Sequence, residues 1–249
     1  MNKNFILNLH PMTKLYFTFF VIAAVLIYPS YLFGYAVFPG LLIVAAIAGT
    51  HIFKEFIGII LKALVILLIL VFLMQLFFYP GETVIGEWGI FQWTKEGFDH
   101  GLFLTSKILA IGSAFILFFR ITEVKDFVKA LEDIGLPPMG AYIVMSTLQI
   151  IPEMKRQANT IMEAQKTRGV ETEGSMLVRA KAFIPIFAPL ILSSIASTEE
   201  RAITLESRAF SAPVKKTSLH KLSKGPADRK LPFAFLLIWV GLIIWRVVT

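Results

Sequence analysis

The sequence predicts an all-α integral membrane protein, with about five transmembrane helices plus in-plane amphipathic helices on the cytoplasmic side. Two features of its composition predict this class. Apolar residues make up 56% of the 249-residue chain and charged residues only 16%, whereas about a quarter of the residues in soluble domains are charged. The apolar residues also come in long blocks instead of at amphipathic spacing, and such blocks indicate membrane spans.

Five apolar blocks are predicted to span the membrane. A helix rises about 1.5 Å per residue, so about 20 residues cross roughly 30 Å of hydrocarbon. The first block follows a short basic segment, as a secretory signal does, but no small-residue cleavage site follows it, so we predict an uncleaved helix. The predicted spans are Leu15–Tyr28, Tyr31 to about Thr50, Ile57–Tyr79, Gly101–Phe119 and Leu231–Val248. The predicted connections are a polar turn at His51–Glu55 and a loop at Pro80–His100.

The distribution of basic residues predicts the orientation. Residues 120–230 hold 17 lysines and arginines against 12 acidic residues, whereas residues 80–100 hold one against four. The positive-inside rule therefore places the N-terminus and residues 120–230 in the cytoplasm, and residues 80–100 and the C-terminus outside. The chain divides accordingly into an N-terminal transmembrane region (1–119), a cytoplasmic helical region (120–230) and a C-terminal transmembrane helix (231–249).

The cytoplasmic region is predicted to hold three helices. Glu123–Ile134 is short and amphipathic, and Gly135 and two prolines stop it. Two long helices follow, each with an apolar first part of about 13 residues, which is too short to span the membrane and too apolar for water. We therefore expect these apolar parts to lie in or near the membrane plane. The long helices are Met139–Arg168 and Gly174–Arg208, with apolar parts Met139–Ile151 and Phe183–Ile195, and the connections are a turn at Glu171–Gly174 and a basic linker at Ser211–Lys230.

The ends of the two long helices carry similar sequences. Thr167-Arg168-Gly169 and Ser207-Arg208-Ala209 each present a hydroxyl residue, an arginine and a residue with little or no side chain, 40 residues apart. An arginine guanidinium carries five donors in a rigid fork and can hold carboxylates and carbonyls in one orientation. A single cytoplasmic arginine is more often an ordinary positive-inside charge. The repetition favours a functional interpretation.

The paired motif resembles the Ala-Arg-Gly-type motifs of the T component of energy-coupling factor (ECF) transporters, the EcfT/CbiQ-like family. His10-Pro11-Met12-Thr13-Lys14-Leu15 is similar to the Asp-Pro-Arg-x-Lys-Leu segment that opens many members. The sequence departs from the family pattern at His10, at Met12 and at the hydroxyl residue that begins each motif, but both arginines are present. Other similar stretches are Leu136-Pro137-Pro138, Ile151-Pro152-Glu153, Ile184-Pro185 and Glu199-Glu200-Arg201-Ala202.

The resemblance implies a non-enzymatic coupling subunit in a bacterial cell membrane. In that family the T component joins two cytoplasmic ABC-type ATPases to a membrane-embedded substrate-binding S component, and the complex takes up a vitamin or a metal ion. ATP hydrolysis occurs on the partner chains, so the resemblance implies no catalytic residue, cofactor, metal site or nucleic-acid partner here. The implied ATPase-docking residues are Thr167, Arg168, Gly169, Ser207, Arg208 and Ala209. The apolar residues expected to contact the S component through the in-plane coupling helices are Met139, Ile143, Leu148, Ile151, Phe183, Phe187, Leu190 and Ile191.

Two other classes of membrane protein fit the sequence less well. A membrane-embedded enzyme, such as a lipid-modifying transferase, needs a cluster of Asp, His or Lys with defensible spacing, and the sequence shows none. A secondary transporter should carry polar residues at mid-membrane in paired broken helices, whereas these spans are almost purely apolar. Lys107 is the exception, because a charge inside a span is a functional-site hypothesis by default. It lies near the outer end of its span, where snorkelling to the interface is at least as good an explanation.

Overall fold

The computed structural model describes residues 5–28, 30–88, 91–170, 174–214, 222 and 224–248. The chain forms two compact units: residues 1–130 together with 222–249, and residues 131–221. The helices are α1 (Pro11–Ile27), α2 (Tyr31–Ala48), α3 (Thr50–Ile59), a π-helical turn (Ile60–Leu64), α4 (Val65–Phe78), α5 (Lys95–Ile121), α6 (Val124–Ile134), α7 (Pro138–Thr167), α8 (Met176–Ser207) and α9 (Pro226–Val248). Two short antiparallel strands, β1 (Val84–Trp88) and β2 (Phe91–Thr94), form a hairpin between α4 and α5.

Helices α1 and α9 run side by side in the same direction. The backbone N–H of His10, just before α1, donates to the Asp228 carboxylate at 2.8 Å, near the start of α9. Further along both helices, the rings of Phe20 and Phe235 stack with their centroids 5.3 Å apart. The segment just before α1 and the start of α9 therefore lie at the same end of the first unit.

Helix α5 runs against this direction and ends at that same place. The buried Lys14 ammonium at the start of α1 donates to the carbonyl of Ile121, the last residue of α5, at 2.8 Å. At the opposite end of the unit, His100 near the start of α5 stacks on Tyr79 just after α4, with ring centroids 4.4 Å apart. This arrangement is the one expected when successive long helices run in opposite directions.

Four of the described helices are long and apolar enough to cross a membrane by length and composition. They are Tyr31–Ala48, Thr50–Phe78, Lys95–Ile121 and Ala180–Ser207, and α1 is a shorter apolar helix. The first three confirm that the second, third and fourth predicted spans are membrane-length helices, and α1 and α9 are helical where the other two were predicted. The fourth candidate lies in α8, which was predicted to lie in the membrane plane, so that placement stays a prediction.

Three predicted connections were wrong in whole or in part. His51–Glu55 is not a turn, because the chain turns at Gly49 and residues 50–78 then form one helical rod through the π-helical turn. A polar residue of this segment has its partner on another helix: the Glu55 carboxylate pairs with Arg120 in α5 at 3.0 Å. The predicted 80–100 loop contains the hairpin and the first turn of α5.

Local capping explains the early start of α5. The Thr94 hydroxyl accepts the Gly97 backbone N–H at 3.1 Å, which is an N-cap. Likewise the end of the predicted 211–230 linker is helical, because α9 begins at Pro226, and proline is favoured at the first position of a helix. Residues 171–173 of the predicted turn, and residues 215–221 and 223 of the linker, lie outside the described residues.

Helices α2 and α5 approach each other through small residues. A Cβ placed on Gly34 in α2 would lie 2.9 Å from the Cβ and 3.2 Å from the backbone carbonyl carbon of Ser106, which is fully buried in α5. Close backbone approach at small residues is the usual way in which helices associate in lipid. Helix α2 can therefore pack this closely on α5 because Gly34 has no side chain.

We predict that Gly34→Ala lowers the stability of the protein by about 1–3 kcal/mol, because the added methyl group overpacks this contact. The matched control is Gly40→Ala in the same helix, where an added Cβ meets no atom within 4 Å. Thermal unfolding of both variants in the same detergent measures the effect. Equal unfolding midpoints for the two variants would show that the α2–α5 contact is looser than described.

Candidate functional site

Both arginine motifs lie at the ends of the two long helices of the second unit. Thr167 is the last residue of α7 and Ser207 the last residue of α8. The arginine that follows is the capping residue in each case, and the two backbones are nearly the same: φ −86°, ψ 5° at Arg168 and φ −92°, ψ 10° at Arg208. The structure therefore gives the repeated sequence a repeated backbone.

The residue after each arginine adopts the left-handed conformation. Gly169 has φ 84° and Ala209 has φ 57°. In each motif the amide of this residue and the next amide donate back to carbonyls in the last turn, which is the Schellman arrangement for a helix end. The four bonds are Gly169 N to Lys166 O (3.0 Å), Val170 N to Gln165 O (3.1 Å), Ala209 N to Glu206 O (2.9 Å) and Phe210 N to Leu205 O (3.0 Å).

The hydroxyl residues that depart from the family pattern also make matching contacts. The Thr167 hydroxyl donates to the carbonyl of Ala164 at 2.7 Å, and the Ser207 hydroxyl donates to the carbonyl of Thr204 at 2.9 Å. Each bond satisfies one of the last carbonyls of a helix, which have no partner within the helix backbone. Each hydroxyl residue therefore adds a hydrogen bond to its helix end.

All six motif residues are solvent-exposed. Within the described part of the chain, neither the Arg168 nor the Arg208 guanidinium makes an ion pair or a side-chain hydrogen bond. Arg156, also exposed on α7, pairs instead with the Glu153 carboxylate one turn away. The two motif arginines thus offer their full set of donors to a partner molecule.

Helices α7 and α8 pack antiparallel. Three of the contacts between them, in the described residues, show the direction: partners that come later in α7 lie earlier in α8 or in the segment that follows it. These are Tyr142 with Phe210 (ring centroids 5.2 Å apart), Gln157 with Ser193 (3.3 Å) and Gln165 with Pro185 (3.2 Å). Because each helix ends in an arginine motif, the antiparallel packing places the two motifs at opposite ends of the helix pair.

One of these contacts compensates for a proline. Pro189 has no N–H, so the carbonyl of Pro185, four residues earlier in α8, loses its usual helical donor. The Gln165 side-chain amide donates to that carbonyl at 3.2 Å. Gln165 lies in the last turn of α7 and its own carbonyl accepts the Schellman bond from Val170. This hydrogen bond therefore connects the last turn of α7, next to the Arg168 motif, directly to α8.

The two caps provide a paired test of backbone strain. A non-glycine residue in the left-handed region costs about 1 kcal/mol or more relative to glycine. We therefore expect Ala209→Gly to strengthen the end of α8 and Gly169→Ala to weaken the end of α7 by a similar amount. Hydrogen exchange measures both: the Phe210 amide should exchange about fivefold more slowly and the Val170 amide about fivefold faster. Changes of the same sign in both variants would contradict the shared geometry.

The apolar residues predicted to contact an S component lie on the same two helices. Leu190 is half-buried, and the other seven are exposed: Met139, Ile143, Leu148, Ile151, Phe183, Phe187 and Ile191. Exposed contiguous apolar surface is typical of a site that meets a partner or a membrane. Their role as S-component contacts stays a prediction.

Sequence reasoning gave Lys14 no role of its own. Its ammonium lies at 6% exposure and donates to the carbonyls of Leu7 at 3.0 Å and Ile121 at 2.8 Å. A lysine at the carbonyl end of a helix is favourable, because the last carbonyls lack partners and carry partial negative charge. The signal in the sequence was a lysine at the start of an apolar helix.

Lys107, by contrast, lies with its ammonium 4.1 Å from the centre of the Phe103 ring.

Comparisons with known proteins give matches over nearly the whole chain. The family described as cobalt transport protein (CbiQ) matches residues 2–219. The energy-coupling factor transporter transmembrane protein EcfT of Brevibacillus brevis is 28% identical, with 98% of this chain and 95% of the relative covered. The EcfT proteins of Staphylococcus aureus (29% identical, 88% and 85% covered) and Listeria innocua (30% identical, 72% and 71% covered) are also similar.

Proposed function

The chain belongs to the CbiQ/EcfT family, the transmembrane components of ECF transporters, and from this premise we propose that it couples two cytoplasmic ATPases to a substrate-binding S component. The Arg168 and Arg208 motifs each dock one ATPase. The chain itself carries motion between its partners and performs no chemistry.

The observation that carries this proposal is the duplicated helix end. Two unpaired, exposed arginines project from matching Schellman caps, so two copies of one acceptor groove can receive them. Docking of a fixed guanidinium on carboxylates and carbonyls is directional, because the five donors lie in one plane. A joint that transmits force needs such a fixed orientation.

The spacing of the motifs supports two separate ATPases. Because Gln165 lies beside Pro185, Arg168 lies close to the start of α8, and Arg208 lies at its other end. At 1.5 Å per residue the motifs are separated by up to roughly 40 Å along the pair. A single small groove cannot hold both arginines, whereas two ATPase chains can each hold one.

The contacts between α7 and α8 support the transmission of motion. A displacement at Arg168 reaches α8 directly through the bond between Gln165 and the Pro185 carbonyl. The exposed apolar residues of the same helices, such as Ile143 and Phe187, would pass it to an S component in the membrane. The transported substrate is then set by the S component, which selects a vitamin or a metal ion.

The membrane placement is part of the proposal. The basic balance of residues 120–230 puts the second unit, the N-terminus and the start of α9 on the cytoplasmic side, where ATPases are found. The alternation of helix directions in the first unit supports a position outside for the hairpin and the end of α9.

Affinity purification of the tagged chain from its native membrane in mild detergent tests the proposal. The expected result is recovery of two ABC-type ATPase chains and at least one small, very hydrophobic protein. Several different small partners would indicate a module shared between vitamins, and one partner would indicate a dedicated system. Recovery of the chain alone would overturn the coupling role and favour the alternative of a membrane-embedded enzyme.

A further inference from the structure

An apolar groove runs between α1 and α9 in the first unit. Its volume is about 620 Å³, within the range of sites that hold small ligands. The rings of Phe20 and Phe235, stacked 5.3 Å apart, join the two helices at the groove. Most of the lining is aromatic: Tyr16, Phe19, Phe20, Phe233, Phe235 and Trp239. Two of these rings remain largely exposed, Phe233 at 64% and Phe19 at 55%, so the groove opens outward from the unit.

One charged residue lines this groove. Arg229 lies in the first turns of α9, at the end where both helices begin. It is exposed, and in the described part of the chain its guanidinium makes no ion pair or side-chain hydrogen bond. The adjacent Asp228 does not neutralise it by pairing, because the buried Asp228 carboxylate accepts the backbone N–H groups of His10 and Gly225, each at 2.8 Å.

The length of the groove matches one leaflet of a bilayer. From Arg229 to Trp239 the helix advances by about 15 Å, half of the roughly 30 Å thickness of the hydrocarbon core. An open aromatic channel of this length, with a cation at one end, complements an acyl chain attached to an anionic head group. A guanidinium binds phosphate in a bidentate manner, which a lysine ammonium cannot do.

We propose that this groove binds an anionic phospholipid of the cytoplasmic leaflet, with an acyl chain along the aromatic residues and its phosphate on Arg229. The inference uses the membrane orientation given above but does not depend on ATPase docking. Anionic lipids are enriched in the cytoplasmic leaflet and attract basic residues there. The lipid would fill the surface between the first and last helices and hold them together at their starts.

Trp239 at the far end of the groove provides the reporter. Changing Trp88, Trp93 and Trp245 to phenylalanine leaves Trp239 as the sole tryptophan of the full chain. The protein is placed in phosphatidylcholine vesicles that contain increasing fractions of phosphatidylglycerol with brominated acyl chains, which quench tryptophan on contact. Brominated phosphatidylcholine serves as the reference, because it measures the quenching by lipid that contacts the protein without selection for its head group.

We expect half-maximal quenching at a clearly lower fraction of brominated phosphatidylglycerol than of brominated phosphatidylcholine. Arg229→Gln should raise the fraction needed by about fivefold, the loss expected for one basic contact with an anionic membrane. Lys230→Gln removes the same charge from the next residue, which does not line the groove. It should change the fraction of lipid needed for half-maximal quenching far less. Ala23→Phe fills the groove and should reduce quenching by both lipids.

Equal quenching by the two lipids, or equal effects of Arg229→Gln and Lys230→Gln, would overturn the proposal. If the triple tryptophan variant does not fold, native mass spectrometry of the otherwise unchanged chain replaces it. Retention of phosphatidylglycerol by the parent protein and its loss in Arg229→Gln alone is then the expected result, and equal retention by both is the contradicting one. Neither readout requires the ATPases, so a failure here leaves the coupling role untouched.

Discussion

Replacing both Arg168 and Arg208 with alanine is expected to abolish recovery of the ATPase chains while the protein remains in the membrane. Loss of one arginine from a buried, hydrogen-bonded contact costs about 2–5 kcal/mol, partly because the partner charge is left without its counterion. The two sites are far apart, so their costs should add. A loss of this size takes a tight complex below detection in a pull-down. Each single variant should retain one ATPase contact and show an intermediate recovery.

Arg156→Ala is the matched control for this experiment. It removes the same side chain from the exposed surface of α7, where Arg156 pairs with Glu153, and exposed pairs contribute about 1 kcal/mol or less. ATPase recovery should be unchanged in this variant. Full substrate uptake by the double variant Arg168→Ala/Arg208→Ala would falsify the docking role.

Lys14→Met is expected to lower the stability of the first unit substantially. Methionine keeps the length of the side chain but removes the ammonium, which leaves the buried Ile121 carbonyl and the partly buried Leu7 carbonyl without this donor. It also removes the positive charge near Asp126 and Asp228. A buried carbonyl that loses its hydrogen-bond donor costs about 1–3 kcal/mol. The measurement is the thermal unfolding midpoint of the purified protein in detergent.

Lys54→Met provides the comparison for Lys14→Met. Lys54 is exposed on α3, so its replacement should shift the midpoint little. If both variants unfold at the same temperature, the Lys14 contacts do not hold α1 to the end of α5. If only Lys14→Met is destabilised, the Lys14 charge in the first turn of α1 has a structural role that is separate from docking.

Hydrophobic blocks and helix-stop residues predicted most of the helices. A block such as Ile57–Tyr79 is apolar over its whole length, so its helix could be predicted without knowledge of any neighbour. Gly135 and Gly169 mark helix ends in the sequence, and α6 and α7 end where they predict. The repeated motif was visible because both arginines follow a hydroxyl residue and precede a residue with little or no side chain.

The features that sequence could not predict depend on contacts between distant residues. His51–Glu55 looked like a turn because it is polar, but Glu55 pairs with Arg120, which is 65 positions later in the chain. Lys14 had no individual role in the sequence analysis, because its hydrogen-bond acceptors, the carbonyls of Leu7 and Ile121, are brought together only by the fold. The antiparallel packing that separates the two motifs likewise depends on pairs such as Gln157 with Ser193.

Site-specific cross-linking from the two helix ends tests the central proposal most directly. The natural chain has no cysteine, so Thr167→Cys and Ser207→Cys each introduce a single attachment point beside one motif arginine. A photoreactive maleimide on either cysteine should label an ATPase chain in native membranes, and Thr160→Cys, two turns earlier on the exposed surface of α7, should label it far less. Strong ATPase adducts from both motif positions are the expected result. Adducts from neither position, or equal yields from all three, would contradict docking through the arginine motifs.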